Sequence, residues 1–193
     1  MTDVAPELED LISRIRRLAG HSAPILVALD GRCAAGKTTL AKSLADAYGW
    51  SVVHLDDFFP RPEQRTPERL AEPGGNLDRE RVLAEALCPL LAGTCASYHP
   101  FDCRAQRLSA ECRVVPAAPV TLVEGAYACH PALWDCYALR VFLDVDPAEQ
   151  RRRILARDGP ARLEQFQKRW IPLEEAYFAA WDIPSRCAYR IRL

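Results

Sequence analysis

Gly31-Arg32-Cys33-Ala34-Ala35-Gly36-Lys37-Thr38 fits G-x-x-x-x-G-K-[ST] at every fixed position, and each part of that pattern has its own physical task. Gly31 and Gly36 admit positive φ, so the backbone can wrap an anion and aim successive N–H groups at it, from Arg32, Cys33, Ala34 and Ala35 through to Thr39. Lys37 adds a point charge over the outer phosphates, and Thr38, on the first helical turn, offers a hydroxyl to the divalent cation that bridges them. The flanks suit the motif. Ile25 to Leu29 is an uninterrupted apolar run, as in a buried strand, and Thr39 to Ala45 leaves the loop with helical spacing. The competing reading, a Gly-rich strand-to-helix turn with a surface lysine, gives no reason for both flanks.

The chain has 193 residues, enough for one domain with a sheet covered on both faces. With 25 basic and 26 acidic side chains the formal net charge is -1, so a sequence-independent grip on nucleic acid is not expected and a small-molecule ligand is the better default. No basic-then-apolar leader pattern follows Met1, and no apolar run approaches membrane length. The expectation is a cytoplasmic protein with no membrane partner, and a homo-oligomer is compatible with it. The eight cysteines contain no C-x-x-C pair, which disfavours a zinc ribbon or a dithiol redox site, and most are expected to be small packed residues. Cys33, beside a helix N-terminus that could lower its pKa, is the exception; it reads as a tolerated loop residue before a redox switch.

Leu8, Leu11, Ile12, Ile15 and Leu18 mark an amphipathic first helix that Gly20 can end. Strands are expected at 25–30 and 50–55, with a helix over 37–48 closed by Gly49 between them. The second strand delivers Asp56 and Asp57 at its carboxyl end, where open α/β sheets bind ligands. From 57 to 119 the pattern loosens into an insertion: loop over 61–69 and 72–76, Asp78 as cap of a helix that Pro89 should kink or shorten, then short strands at 98–102 and 113–115. Val120 to Val123 and Arg140 to Val145 are further buried strands. Asp146, Pro147 and Glu149 form a strong helix start, and that helix carries Arg151, Arg152, Arg153 and Arg157 before Asp158-Gly159-Pro160. Helical stripes follow, broken at Pro172, and 188–193 can add an edge strand. Alternating strands and helices argue for a parallel sheet with right-handed crossovers.

Together these residues resemble the uridine kinase branch of P-loop kinases, which includes phosphoribulokinase and bacterial pantothenate kinase. The matching pieces are Asp30 to Thr38, Leu55-Asp56-Asp57-Phe58-Phe59, Asn76-Leu77-Asp78, Phe101-Asp102, Val123-Glu124-Gly125 and the Asp144-Val145-Asp146 strand end with its Arg-bearing helix. The resemblance implies a three-layer P-loop NTPase fold: a mainly parallel five-stranded sheet with helices on both faces, in a single domain (1–193). It further implies an acceptor-binding insertion (57–119) and a short lid (147–162). It implies ATP and Mg2+ as cofactors and transfer of the γ-phosphoryl group to an alcohol, a nucleoside first, with pantothenate, nicotinamide riboside or a sugar phosphate as alternatives.

By position, Asp56 resembles the catalytic carboxylate that orients the acceptor hydroxyl and takes its proton. Asp57 could instead hold a magnesium water or touch substrate, and the pair is not separated by sequence. Glu124 could serve magnesium or a substrate hydroxyl, or merely close its strand. Arg153 and Arg157 share a helical face and resemble lid arginines that stabilise the transferring phosphoryl group. Phe58, Asp78, Arg79, Phe101, Asp102 and Gln106 fall at positions that face the acceptor. The departures are Cys103 and Gln106, where those enzymes carry a ring and a histidine, Gln150 in place of a nucleoside-contacting arginine, and the shortened lid. A second class remains open: a non-catalytic nucleotide switch. The guanine-reading Asn-Lys-x-Asp and the transporter Leu-Ser-Gly-Gly-Gln are both missing from the sequence.

Overall fold

The computed structural model describes residues 4–20 and 23–193; the start of the chain, Met1 to Asp3, lies outside the described residues. Among the described residues nine strands occur in chain order: β1 Ile25–Gly31, β2 Ser51–His54, β3 Ala96–Tyr98, β4 Phe101–Asp102, β5 Arg107–Leu108, β6 Arg113–Val115, β7 Val120–Glu124, β8 Leu139–Asp144 and β9 Tyr189–Arg192. Five make the central sheet in the order β2-β7-β1-β8-β9, and every pairing in it is parallel. The other four form two antiparallel pairs, β3 with β6 and β4 with β5, in the insertion.

Alternation along the strands divides the core. Leu26 and Ala28 of β1, Val53 of β2 and Phe142 of β8 join one buried cluster with Leu87 and Leu90 of the helical run 79–91 and Tyr177 and Phe178 of Ile171–Trp181. Val27, Leu29, Val141 and Leu143 face the opposite cluster, with Leu11 and Ile15 of α1 (Val4–Ala19) and Leu40 and Leu44 of α2 (Lys37–Tyr48). A period-2 pattern between two period-3.6 stripes gives three layers. Gly49 ends α2 with φ 69, and its N–H donates to Ala45, as expected for a left-handed C-cap.

The two prolines act differently from the expectation. Pro89 neither stops nor shortens its helix, and Pro172 does not interrupt the last one. In each case the preceding turn widens: Val82–Leu87 and Phe166–Trp170 are π-helical, with Cys88 donating to Leu83 and Ile171 to Phe166, five residues back. A proline ring collides with the carbonyl four residues earlier in a regular helix, and the wider turn shifts that carbonyl aside. The 61–69 stretch, expected as loop, contains the short helix Pro62–Gln64 and the start of another, Pro67–Ala71.

Strand register sets up the site. His54 pairs with Glu124, Glu124 with Leu29, Gly31 with Leu143 and Asp144 with Arg192, so the carboxyl ends lie along one line. There Asp144, nearly fully buried, is bonded to Arg32, to Arg190 at 2.6 Å and to Arg192 at 3.3 Å. Burial would raise its pKa, but the Arg190 and Arg32 guanidiniums hold it down at about 2. A carboxylate lowered on folding stabilises above its ordinary pKa and loses that contribution as the pH falls toward the folded value. Asp144→Asn should therefore cost roughly 2–3 kcal/mol near neutral pH, the low side for breaking a buried pair because Arg190 and Arg192 stay half exposed. Urea unfolding should show the gap between variant and wild type closing between about pH 4 and pH 2.

Candidate active site

The loop after β1 is held in shape from several sides. Gly31 has φ +134, and a Cβ there would lie 2.0 Å from the Leu143 carbonyl oxygen, so only glycine fits. Gly36, at φ 95, opens α2, and no side chain caps that helix end, which leaves its first N–H groups facing outward as an anion cradle. Lys37 Nζ donates to the Gly31 and Arg32 carbonyls at 2.7 and 3.0 Å. Asp30, fully buried, accepts from Gly31 N at 2.7 Å, Cys129 N at 2.8 Å and Tyr177 Oη at 2.8 Å. Burial raises its pKa, against those donors and the Lys37 charge.

The outer half of the loop is gripped by the C-terminal helices. Cys33 N donates to Glu174 Oε2 at 3.0 Å and Gln150 Nε2 donates to the Cys33 carbonyl at 3.1 Å. Arg32 pairs with Glu175 at 2.7 Å as well as with Asp144. Gln150, where related enzymes carry an arginine, is buried against the loop. The Cys33 thiol is pushed upward by burial and by the Glu174 carboxylate, which agrees with a loop residue and disfavours the redox alternative. The eight cysteines also divide evenly: Cys88, Cys95, Cys103 and Cys112 are exposed, and the other four are wholly or partly buried.

Glu124, buried at the end of β7, joins the loop to β2. Thr38 Oγ1 donates to Glu124 Oε1 at 3.1 Å, and His54 Nδ1 lies 2.6 Å from the same oxygen. That bond raises the His54 pKa. Sequence reading missed His54, although a polar residue ending a parallel strand was the available signal. Past it, the turn Leu55–Phe58 carries the two aspartates, and the structure separates them. Asp57 Oδ2 accepts from Arg113 Nη1 at 2.5 Å and Tyr98 Oη at 3.1 Å, which ties it to β6 and β3. Asp56 is exposed on that turn and has no hydrogen-bonded partner among the described residues. The protein atoms packed around it still raise its pKa; Glu124 and Asp57 add to the rise, while Lys37 and His54 oppose it. Asp56 thus feels both the loop lysine and the strand-end glutamate.

Several expected acceptor contacts have other tasks. Phe58 is fully buried, packed on Tyr98 with ring centres 4.5 Å apart and under Arg81, because the tight turn after β2 points it into the core; Phe59 faces outward instead. Asp78 is buried and caps its helix through Arg81 N at 3.2 Å. Arg79 pairs with Glu72 at 2.8 Å and touches His130. Asp102 closes the β4–β5 turn by accepting from Arg104 N and Ala105 N. Phe101 is buried, with its ring centre 5.9 Å from that of Phe59, and Gln106 ends the same hairpin turn. Arg153 spends its donors on Glu149, the Ala34 carbonyl and the Leu193 carbonyl, so it braces the loop rather than reaching for a phosphoryl group. Arg157, itself exposed, pairs with half-buried Asp158 at 2.8 Å, and the Asp56 charge also favours its guanidinium.

This donor set fits a magnesium nucleoside triphosphate. An uncapped helix end with Lys37 beside it suits phosphate, and the hydroxyl of Thr38 and the carboxylate of Glu124 are hard oxygen ligands of the kind Mg2+ takes alongside phosphate oxygens. No protein-family model matches the sequence. Among solved structures, one described as a possible uridine kinase from Bacillus stearothermophilus matches with TM-score 0.65 and 19% identity over 94% of this chain and 99% of its own. A Silicibacter sp. TM1040 protein provisionally described as a fructose transport system kinase gives 0.68 and 20% over 93% and 97%. The chain has the P-loop NTPase fold. A D-glycerate 3-kinase from Cryptococcus neoformans var. grubii matches at TM-score 0.63 and 16% identity, over 91% of this chain and 88% of its own. The three match on fold across nearly the whole chain.

Proposed function

We propose that this protein is an ATP- and Mg2+-dependent kinase that transfers the γ-phosphoryl group to a hydroxyl of a small molecule. The observation that carries the reading is the position of Asp56: an exposed carboxylate on the turn after β2, with raised pKa, no hydrogen-bonded partner among the described residues, and Lys37 and Glu124 within electrostatic reach. A nucleotide switch has no use for an unpartnered carboxylate there.

Lys37 and the loop amides bind the triphosphate, and Thr38 with Glu124 would hold Mg2+, which neutralises phosphate charge when bound. Asp56 accepts the proton of the acceptor hydroxyl as that oxygen bonds to the γ-phosphorus and the bond to the β-phosphate oxygen breaks, releasing ADP. Arg157, exposed on the helix Pro147–Asp158 and favoured by the Asp56 charge, adds positive charge where the phosphoryl group passes. His54 fixes the Glu124 carboxylate. The names of the three fold neighbours, a nucleoside kinase, a sugar kinase and a glycerate kinase, support an alcohol acceptor.

Coupled ADP release with uridine, cytidine, nicotinamide riboside, pantothenate, D-glycerate and ribulose 5-phosphate, each against water, tests the reading. At least one alcohol should raise turnover well above the water rate. ATP binding with no alcohol-dependent turnover would refute it in favour of the switch.

A further inference from the structure

The ring of Phe101 and the amide of Gln106, two of the positions expected beside the acceptor, are engaged by a cation. The Arg65 guanidinium carbon lies 4.7 Å from the ring centre of Phe59 and 4.8 Å from that of Phe101. Its Nε donates to the Pro60 carbonyl at 2.7 Å and its Nη1 to Gln106 Oε1 at 2.5 Å. Nη2 is buried and has no hydrogen-bond partner among the described residues. A desolvated charged donor left unpaired is costly, and an anionic oxygen relieves that cost with charge as well as a hydrogen bond.

Two further observations bring this group to the acceptor side of the cleft. Strand β4, which carries Phe101, packs against the turn Leu55–Phe58 that carries Asp56, and Phe59 follows that turn directly, so Arg65 lies on the Asp56 side. Across Phe59, the ring of Trp170 stands edge-on at 6.1 Å, with the Arg169 guanidinium 4.7 Å above it. Arg169 and Lys168 line a cavity of about 320 Å³ together with Asn76. The lining offers cations. A neutral base would have to displace Arg65 from between two rings.

We propose that the acceptor alcohol carries an anionic group, a carboxylate or a phosphate, that Arg65 binds through its unpartnered Nη2. This rests on the kinase reading above and narrows its acceptor away from nucleosides. One charge-assisted hydrogen bond is equivalent to about 10- to 100-fold in binding.

The test compares kcat/KM for matched pairs in the full-length protein with saturating MgATP: D-glycerate against glycerol for a carboxylate, ribulose 5-phosphate against ribulose for a phosphate, with uridine as the neutral nucleoside. The anionic member of at least one pair should exceed its neutral counterpart and uridine by about tenfold or more. Arg65→Gln should abolish that preference and Arg65→Lys retain part of it, with KM for ATP unchanged in both; ATP binding and the thermal midpoint establish that the variants are folded. Uridine or the neutral alcohols turning over as well as the anionic ones would overturn the proposal while leaving the kinase reading intact, as would an Arg65→Gln enzyme that keeps the preference. ATP binding without turnover of any alcohol would overturn both. The wild-type comparison decides the acceptor class even where a variant does not fold.

Discussion

Asp56→Asn should lower kcat by about 10²- to 10⁴-fold, the range for removing a general base, while ATP binding stays within about twofold. Asparagine keeps the size and one acceptor oxygen but takes no proton. The structure adds a pH signature that a merely structural aspartate would not show. Desolvation by the protein atoms packed around it, with Glu124 and Asp57 nearby, raises the Asp56 pKa. A base works only when deprotonated, so kcat/KM should fall as the pH drops through that raised value, with the acid limb above the ordinary carboxylate position. The variant should lack this limb. Single-turnover rates across pH for both proteins check it, and a variant with wild-type rates and the same limb would remove Asp56 from the base role.

Lys37→Ala should lower kcat/KM for ATP by roughly 10²- to 10³-fold, comparable to the loss of one preorganised charge-stabilising group. Its ammonium bonds to the Gly31 and Arg32 carbonyls at 2.7 and 3.0 Å, so the variant loses both a phosphate ligand and an internal brace of the loop. A second consequence links the two experiments. The Lys37 charge holds down the Asp56 pKa, so the residual activity of the variant should have its acid limb displaced to higher pH. Isothermal titration with ATP and a pH–rate profile measure the two effects; ATP affinity equal to wild type would contradict the loop's assigned role.

Much of the frame was legible because local chemistry decides it. Apolar runs gave the five sheet strands to within a residue or two, Gly31 and Gly36 gave the loop, and Gly49 gave the end of α2. Asp146 caps its helix through Ala148 N at 2.8 Å, as its spacing implied. The misreadings occur where tertiary packing chooses among local options. Pro89 and Pro172 signal helix breaks, but the buried faces around them favour a widened turn over a break. Phe58 looked like a pocket residue beside the aspartates, yet one tight turn separates the cleft from the core and sends Phe58 inward while Asp56 stays out. Glu174 and Gln150, which grip Cys33 from 141 and 117 residues away, have no local signature. Arg65 was one charge among many in a polar stretch until two rings closed around it.

Transfer of the terminal phosphoryl group from γ-labelled ATP tests the account most directly. With the best acceptor from the panel, label should appear on the alcohol oxygen in step with ADP, one product per nucleotide consumed, and Asp56→Asn should slow its appearance without changing where it goes. Label released only as inorganic phosphate, whatever alcohol is supplied, would contradict the account.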